Sequence, residues 1–243
     1  MPGIMTHLYV ATWVEPGLCN DKGFLFGNIY PDLEKLIIGV DENHELLKGL
    51  IKKLRKRKEY KTLCRGIDLH LIVDKYAHKD YIEEKVKKLH KKFPNLNEKE
   101  LHMFTEIALD KQIIEENNYV LYHFDTLKTY TKWKNLIGEM AKHFKVDEET
   151  AINNVQFYID LFEGIGYMAG ITGLNPISVK RAYSTLKKIK KKQKEAKDFK
   201  FTQKFHLLLS CKKEVKDYEG YFDWLIEKLK KEPYSKIKIK RKN

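Results

Sequence analysis

The segment RGIDLHLIVDKYAHKDYI, residues 65–82, places three titratable side chains on one face of a helix predicted over roughly 62–77. His70, Asp74 and His78 recur every four residues, a step that advances the side chain by only about 40° around an α-helix. The residues between them are mostly apolar, which predicts a largely buried helix. Buried imidazole and carboxylate groups are costly unless they are paired, hydrogen-bonded or bound to a metal. The segment therefore predicts a partner for all three groups, and a divalent metal ion is the obvious one.

Helical patterns extend in both directions from this segment. Before it, we expect helices over residues 5–14, from Asp32 to about residue 38, and over 42–60, with a loop at 15–31. After it, Asn97 followed by Glu100 predicts a capped helix over 98–117. Further helices are expected at 80–92, 120–143, 148–169, 176–197 and 217–231. No segment has convincing strand alternation, so the predicted fold class is all-α.

Further metal-ligand candidates occur on both sides of the central helix. His7 lies in the first predicted helix, and His44 follows Asp32 by twelve residues. His102, Glu106 and Asp110 repeat the four-residue spacing. A histidine and an acid four residues apart on a helix present a nitrogen and an oxygen ligand to the same ion. The predicted metal ligands are His7, Asp32, His44, His70, Asp74, His78, His102 and Glu106.

These residues, in this order, resemble the zinc-dependent phospholipase C family, whose fold is shared by the P1-type nucleases. The segment FGNIYPD at 26–32 is similar to the family's approach to its aspartate, and 70–78 is similar to its HxxxDxxxH helix. The resemblance covers roughly residues 1–115. It implies a multi-helix bundle of the phospholipase C/P1 nuclease type, with a metal-binding helical core at 1–118. Residues 119–243 would complete the same bundle and end in a basic tail at 235–243.

The resemblance also implies a function and a division of the ligands among two or three zinc ions. His44, His70, Asp32 and Asp74 would surround one ion, while His78, His102 and Glu106 would hold a second. His7 and Asp74 would contribute to a third, which makes Asp74 a bridge. A metal-bound hydroxide would hydrolyse a phosphodiester or phosphomonoester, such as a phospholipid head group, a nucleotide or a nucleic acid. Asp32 or Glu106 would take the proton as the catalytic carboxylate, and Asp110 would orient a ligand from one turn further on.

Charge supports a second interpretation. The 243 residues carry a net charge of +13, concentrated in basic runs at 48–61, 175–200 and 236–243. Such runs are typical of solvated lysine-rich helices, but they also attract nucleic acid or an anionic lipid surface. The alternative is therefore a non-enzymatic helical module that binds such a polyanion. In that case the histidines and acids would form a structural metal site or ordinary buried pairs.

Location is predicted from what the sequence lacks. The first thirteen residues do not have the pattern of a signal peptide, and no apolar run approaches the length of a transmembrane helix. Cys19, Cys64 and Cys211 are far apart and odd in number, which favours reduced thiols. We therefore expect a cytoplasmic protein.

Overall fold

The computed structural model describes residues 3–38, 44–156 and 210–231, and the regular structure in these ranges is helical, as the all-α prediction requires. The remaining predicted features lie outside the described residues: the helix at 176–197, most of the helix at 148–169, the basic runs at 175–200 and 236–243, and the tail at 235–243. The described helices are α1 (Ile4–Val14), α2 (Lys22–Gly27), α3 (Tyr30–Ile38), α4 (His44–Leu54), α5 (Lys61–Tyr76), α6 (Glu83–Lys92), α7 (Glu98–Glu116), α8 (Tyr119–Lys128), α9 (Trp133–Phe144) and α10 (Tyr218–Lys231).

Helix α1 lies at the centre of the described fold. Every residue from Ile4 to Ala11 is buried, including His7. A helix that is apolar on all sides has to be surrounded by other elements, and α1 contacts α5, α7, α8 and α10. Any polar side chain on α1 is therefore placed in the interior of the molecule.

Helices α2 and α5 pack with their backbones in direct contact. A β-carbon on Gly27 would lie 2.1 Å from the carbonyl oxygen of Leu63, and one on Gly66 would lie 2.1 Å from that of Phe24. Because only glycine leaves this space, the two helices approach more closely than any larger residue would allow. The contact places Asn28, the residue after Gly27, beside His70, which lies one turn after Gly66.

The central helix is interrupted rather than ended. Between α5 and α6, residues Ala77–Ile82 form a single π-helical turn. A π turn adds a residue to the local repeat, and such turns are frequent at functional sites. It changes the direction in which His78 points relative to Asp74. The spacing of four residues alone could not show this turn.

Three boundaries differ from the sequence prediction. The expected loop at 15–31 contains α2, whose first turn is capped by Asp21: its Oδ1 accepts a hydrogen bond of 2.8 Å from the amide of Phe24. The helix expected at 42–60 ends at Leu54. The single helix expected at 120–143 is two, α8 and α9. Thr129 lies at this break and its hydroxyl donates to the carbonyl of Thr126, an alternative to helical pairing.

The helices on both sides of residue 118 bury side chains in one hydrophobic core. The predicted cap of α7 is confirmed: Asn97 Oδ1 accepts from the amide of Glu100, and the Glu100 carboxylate accepts from the amide of Asn97. In the described part of the chain, no helix has the length and apolarity needed to cross a membrane.

Candidate metal centre

His70 is held in one orientation by the backbone of α2's C-terminal end. Its Nδ1 lies 2.6 Å from the carbonyl oxygen of Asn28. A carbonyl oxygen can only accept a hydrogen bond, so Nδ1 carries the proton and donates it. In a neutral ring this leaves a lone pair on Nε2, which lies 3.5 Å from Oδ1 of Asp32. Two acceptors facing each other at that distance are compatible with a cation or a second proton between them.

His7 of α1 lies directly against His70. The two rings stack with centroids 3.8 Å apart and an angle of 17° between their planes. His7 Nε2 is 3.7 Å from Oδ1 of Asp74, one turn further along α5 from His70. His7, His70 and Asp74 each offer one ligand atom, and these three atoms lie within 4.8 Å of one another. We refer to these residues as the inner triad.

A second set of three residues forms where the π turn meets α7. His78 Nε2 lies 3.7 Å from Oε1 of Glu106, and the His78 and His102 rings are 4.7 Å apart at their centroids. His102 Nε2 and Glu106 Oε1 are 2.8 Å apart, a direct hydrogen bond within one turn of α7. The ligand atoms of His78, His102 and Glu106 again lie within 4.8 Å of one another. We refer to these residues as the outer triad.

Asp74 joins the two triads. Its Oδ1 lies 3.7 Å from His7 in the inner triad and 3.5 Å from His78 in the outer triad. The inner end is closed, since His7 and His70 have no exposed surface. The side chains of His78 and His102 are 26% and 27% exposed. Within the described residues, a ligand would therefore reach the outer triad first.

Asp110 positions the helix that carries His7. Its carboxylate caps the N-terminus of α1, accepting hydrogen bonds of 2.9 Å from the amide and 2.8 Å from the hydroxyl of Thr6, and one of 3.2 Å from the amide of Met5. Burial raises the pKa of Asp110 to about 7, although the hydrogen bonds from Thr6 and Met5 oppose the shift. One helix, α7, therefore carries two outer-triad residues and also fixes the start of α1.

The arrangement differs in detail from the division of ligands that the resemblance implied. His7 and His70 were expected to bind different ions, whereas the structure stacks them beside Asp74. Asp32 contacts the inner triad from one side, through His70. His44 is the first residue of α4, and its side chain lies outside the described residues. His78, His102 and Glu106 lie together, and Asp110 acts on α1 rather than on a ligand.

Several residues that shape the centre gave little signal in the sequence. Asn28 acts through its backbone carbonyl, which no residue preference reveals. The glycine pair was detectable in principle: Gly66 lies inside a helical pattern, where glycine is costly unless a close contact requires it.

The chain matches no family model, no curated protein and no solved structure.

Proposed function

We propose that this protein is a zinc-dependent phosphoesterase of the phospholipase C/P1 nuclease type, with two metal positions that share Asp74. The observation that carries the proposal is the pair of triads joined by one carboxylate. Each triad combines two imidazoles with one carboxylate, a donor set that zinc commonly takes. Two ions close together are typical of enzymes that hydrolyse phosphate esters.

The spacing of the donor atoms supports a metal over simple ion pairs. Two ligands of a tetrahedral zinc at about 2.0–2.1 Å from the ion are roughly 3.3 Å apart. The nitrogen–oxygen pairs His70–Asp32 and His78–Asp74 are both 3.5 Å apart, and His7–Asp74 is 3.7 Å. These distances exceed the range of a direct hydrogen bond. His102 and Glu106 are the exception at 2.8 Å, and a metal there would replace the shared proton.

The surroundings of His70 fit the same proposal. Metal-binding histidines usually donate their second ring nitrogen to a carbonyl or carboxylate, which fixes the tautomer. The carbonyl of Asn28 does this for Nδ1 of His70 and directs Nε2 toward the centre. Asp74 is the residue through which both positions would be coupled, since it is within 4 Å of a histidine in each triad.

When bound, zinc would supply a Lewis acid that lowers the pKa of water and offsets charge on the phosphoryl oxygens. The chain's own residues would do the rest. His7, His70 and Asp32 would form the closed end and exclude water from behind the centre. Glu106, at the open end, would accept a proton, with Asp32 as the other candidate carboxylate. The substrate would be a phosphodiester or phosphomonoester, from a phospholipid head group, a nucleotide or a nucleic acid.

The replacement Asp74→Asn tests this function most simply. It keeps the shape of the side chain but removes the charge shared by both triads. We expect hydrolysis of a chromogenic phosphodiester to fall by at least about 1,000-fold, equivalent to ~4 kcal/mol of lost transition-state stabilisation. The matched control is Asp80→Asn, the same chemical change at an exposed position six residues away, which should keep full activity.

Two results would contradict the proposal. One is hydrolysis that survives Asp74→Asn in a folded protein. The other is wild-type protein that is loaded with zinc yet hydrolyses neither a phosphodiester nor a phosphomonoester. The second result would favour the non-enzymatic alternative, in which the centre has a structural role only.

A further inference from the structure

A second concave site lies at the junction of α4, α5 and α10. It is a half-open cavity of about 1080 Å³, and the described residues that line it include seven lysine and arginine side chains and two carboxylates. Most of the cations come from the turn between α4 and α5, with Lys230 contributed by α10. Like charges gathered around a recess focus a positive potential there and attract anions.

The arginines and lysines of this cavity differ in how they are paired. Arg55 pairs with Asp68, Arg65 with Glu15, and Arg57 with Glu59 and Glu139. The two lining carboxylates are therefore already engaged. Lys56, Lys58 and Lys61 are exposed and form no ion pair with the described residues. We refer to these three as the cavity lysines, since their charges are available to an anion.

The positive charge continues beyond the cavity along α4. Lys48, Lys52 and Lys53 lie on the exposed side of this helix, while Leu50 and Leu54 face the core. Residues 48–61 thus present eight cations against one acid over a helix and a turn. The eleven residues of α4 span ~16 Å, a length over which a nucleic-acid duplex carries roughly nine phosphate charges. An extended polyanion matches this surface better than a small anion does.

The lining of the cavity indicates which polyanion fits. Among the described residues, its lining includes no aromatic side chain. Single-stranded nucleic acid is usually held by bases stacked on exposed aromatic rings, and that contact is lacking here. A membrane surface is broad and flat, so it would not reach charges inside a recess. The backbone of a duplex needs only phosphate contacts, because its bases are already stacked on one another.

The cavity is separate from the metal centre although both use α5. At about 100° per residue, Lys61, Cys64, Arg65 and Asp68 project roughly 150° around the helix from His70 and Asp74. The cavity residues also belong to the N-terminal half of α5, whereas the metal candidates belong to its C-terminal end. A ligand in the cavity would not compete with a substrate at the triads.

We propose that the cavity lysines and the α4 lysines form a docking site for the phosphate backbone of double-stranded nucleic acid, independent of base sequence. This site does not depend on the proposed phosphoesterase activity. It would operate with or without metal in the triads.

The test is duplex binding by the full chain in the presence of a chelator, followed as fluorescence anisotropy of a labelled 20-base-pair duplex. DNA and RNA duplexes are compared over a range of salt concentrations. One variant replaces Lys56, Lys58 and Lys61 by glutamine. Its control replaces Lys87, Lys91 and Lys213, three exposed lysines on another part of the surface, and so removes the same net charge.

If each cavity lysine contacts one phosphate, its removal weakens binding by a factor set by the salt concentration. We expect an affinity loss of about 500-fold at 0.1 M salt and a salt-dependence slope reduced by about 2.7. The control should lose less than about threefold in affinity, since its lysines make no phosphate contacts. Equal losses in the two variants would overturn the proposal. So would tighter binding of a single strand than of the duplex, or binding of anionic vesicles but of no duplex through the same lysines.

Discussion

Two polar clusters in this protein satisfy their charges in different ways, one around the buried amine of Lys85 and the exposed carboxylate of Asp217, the other around the inner triad. In the first, Lys85 of α6 is 4% exposed and its amine lies 2.5 Å from Oδ2 of Asp217, just before α10. The hydroxyl of Tyr81 donates to the same carboxylate at 3.0 Å and is also 3.1 Å from the carbonyl of Val215. Opposite charges are in direct hydrogen-bond contact, so this cluster is complete with protein atoms alone.

The second cluster, around the inner triad, is arranged differently. Its members are imidazoles and carboxylates, and His7 Nε2 and His70 Nε2 lie 3.5–3.7 Å from the nearest acid oxygens. The wider spacing instead leaves room for an ion among them. Burial of polar groups does not by itself distinguish the two clusters, so the proposed metal positions rest on donor type and spacing.

We refer to Lys85, Tyr81 and Asp217 as the Lys85 cluster. Removing its carboxylate should have the largest effect on stability at neutral pH. Asp217→Ala removes the carboxylate and leaves a buried ammonium group without its counter-charge. We expect the free energy of unfolding to fall by about 2–3 kcal/mol, less than for a fully buried pair because the Asp217 side chain is 67% exposed, and equally with zinc and with chelator. Lys85→Met removes the buried charge itself and should cost clearly less. Denaturant unfolding in both conditions checks this. If the loss of stability in Asp217→Ala differed between zinc and chelator, the Lys85 cluster would depend on metal as well, and the proposed difference between the two clusters would be wrong.

Separating α2 from α5 should disturb the inner triad from a distance. Gly66→Ala places a methyl group 2.1 Å from the carbonyl oxygen of Phe24. We expect a loss of about 2 kcal/mol in the free energy of unfolding and weaker zinc binding, because His70 moves away from the Asn28 carbonyl. Gly220→Ala is the control, since a β-carbon in that position of α10 meets nothing within 4 Å. It should stabilise the protein by up to about 1 kcal/mol. Gly66→Ala protein with normal stability and zinc affinity would show that the close contact is dispensable.

The cap of α1 should be seen as a pH dependence of stability rather than as a loss at a single pH. Burial raises the pKa of Asp110 to about 7, above its usual value near 4, so the folded protein binds an extra proton between these values. The free energy of unfolding should therefore fall as the pH rises from 4 to 7, by up to about 1.4 kcal/mol per pH unit. Asp110→Asn should remove this component of the slope. An unchanged slope in Asp110→Asn would mean that Asp110 is already ionised in this range.

Local patterns predicted the elements of the centre better than their assembly. The buried helix α5 and the capped helix α7 follow from periodicity and from the pair Asn97 and Glu100. The stacking of His7 on His70 does not, because it depends on how α1 is surrounded by its neighbours. The π turn at 77–82 and the carbonyl of Asn28 act through backbone geometry, which side-chain spacing does not encode. The role of Asp110 could not be predicted either, because the amides that it caps belong to α1, more than 100 residues away in sequence.

The most direct test of the metal centre is the zinc content of freshly purified protein, measured by elemental analysis after unbound metal is removed. We expect two zinc ions per chain in the wild type. Asp74→Asn should hold fewer, and Asp217→Ala should still hold two because its cluster needs no metal. Wild-type protein with no zinc, or with the same single ion as Asp74→Asn, would contradict two metal positions that share Asp74.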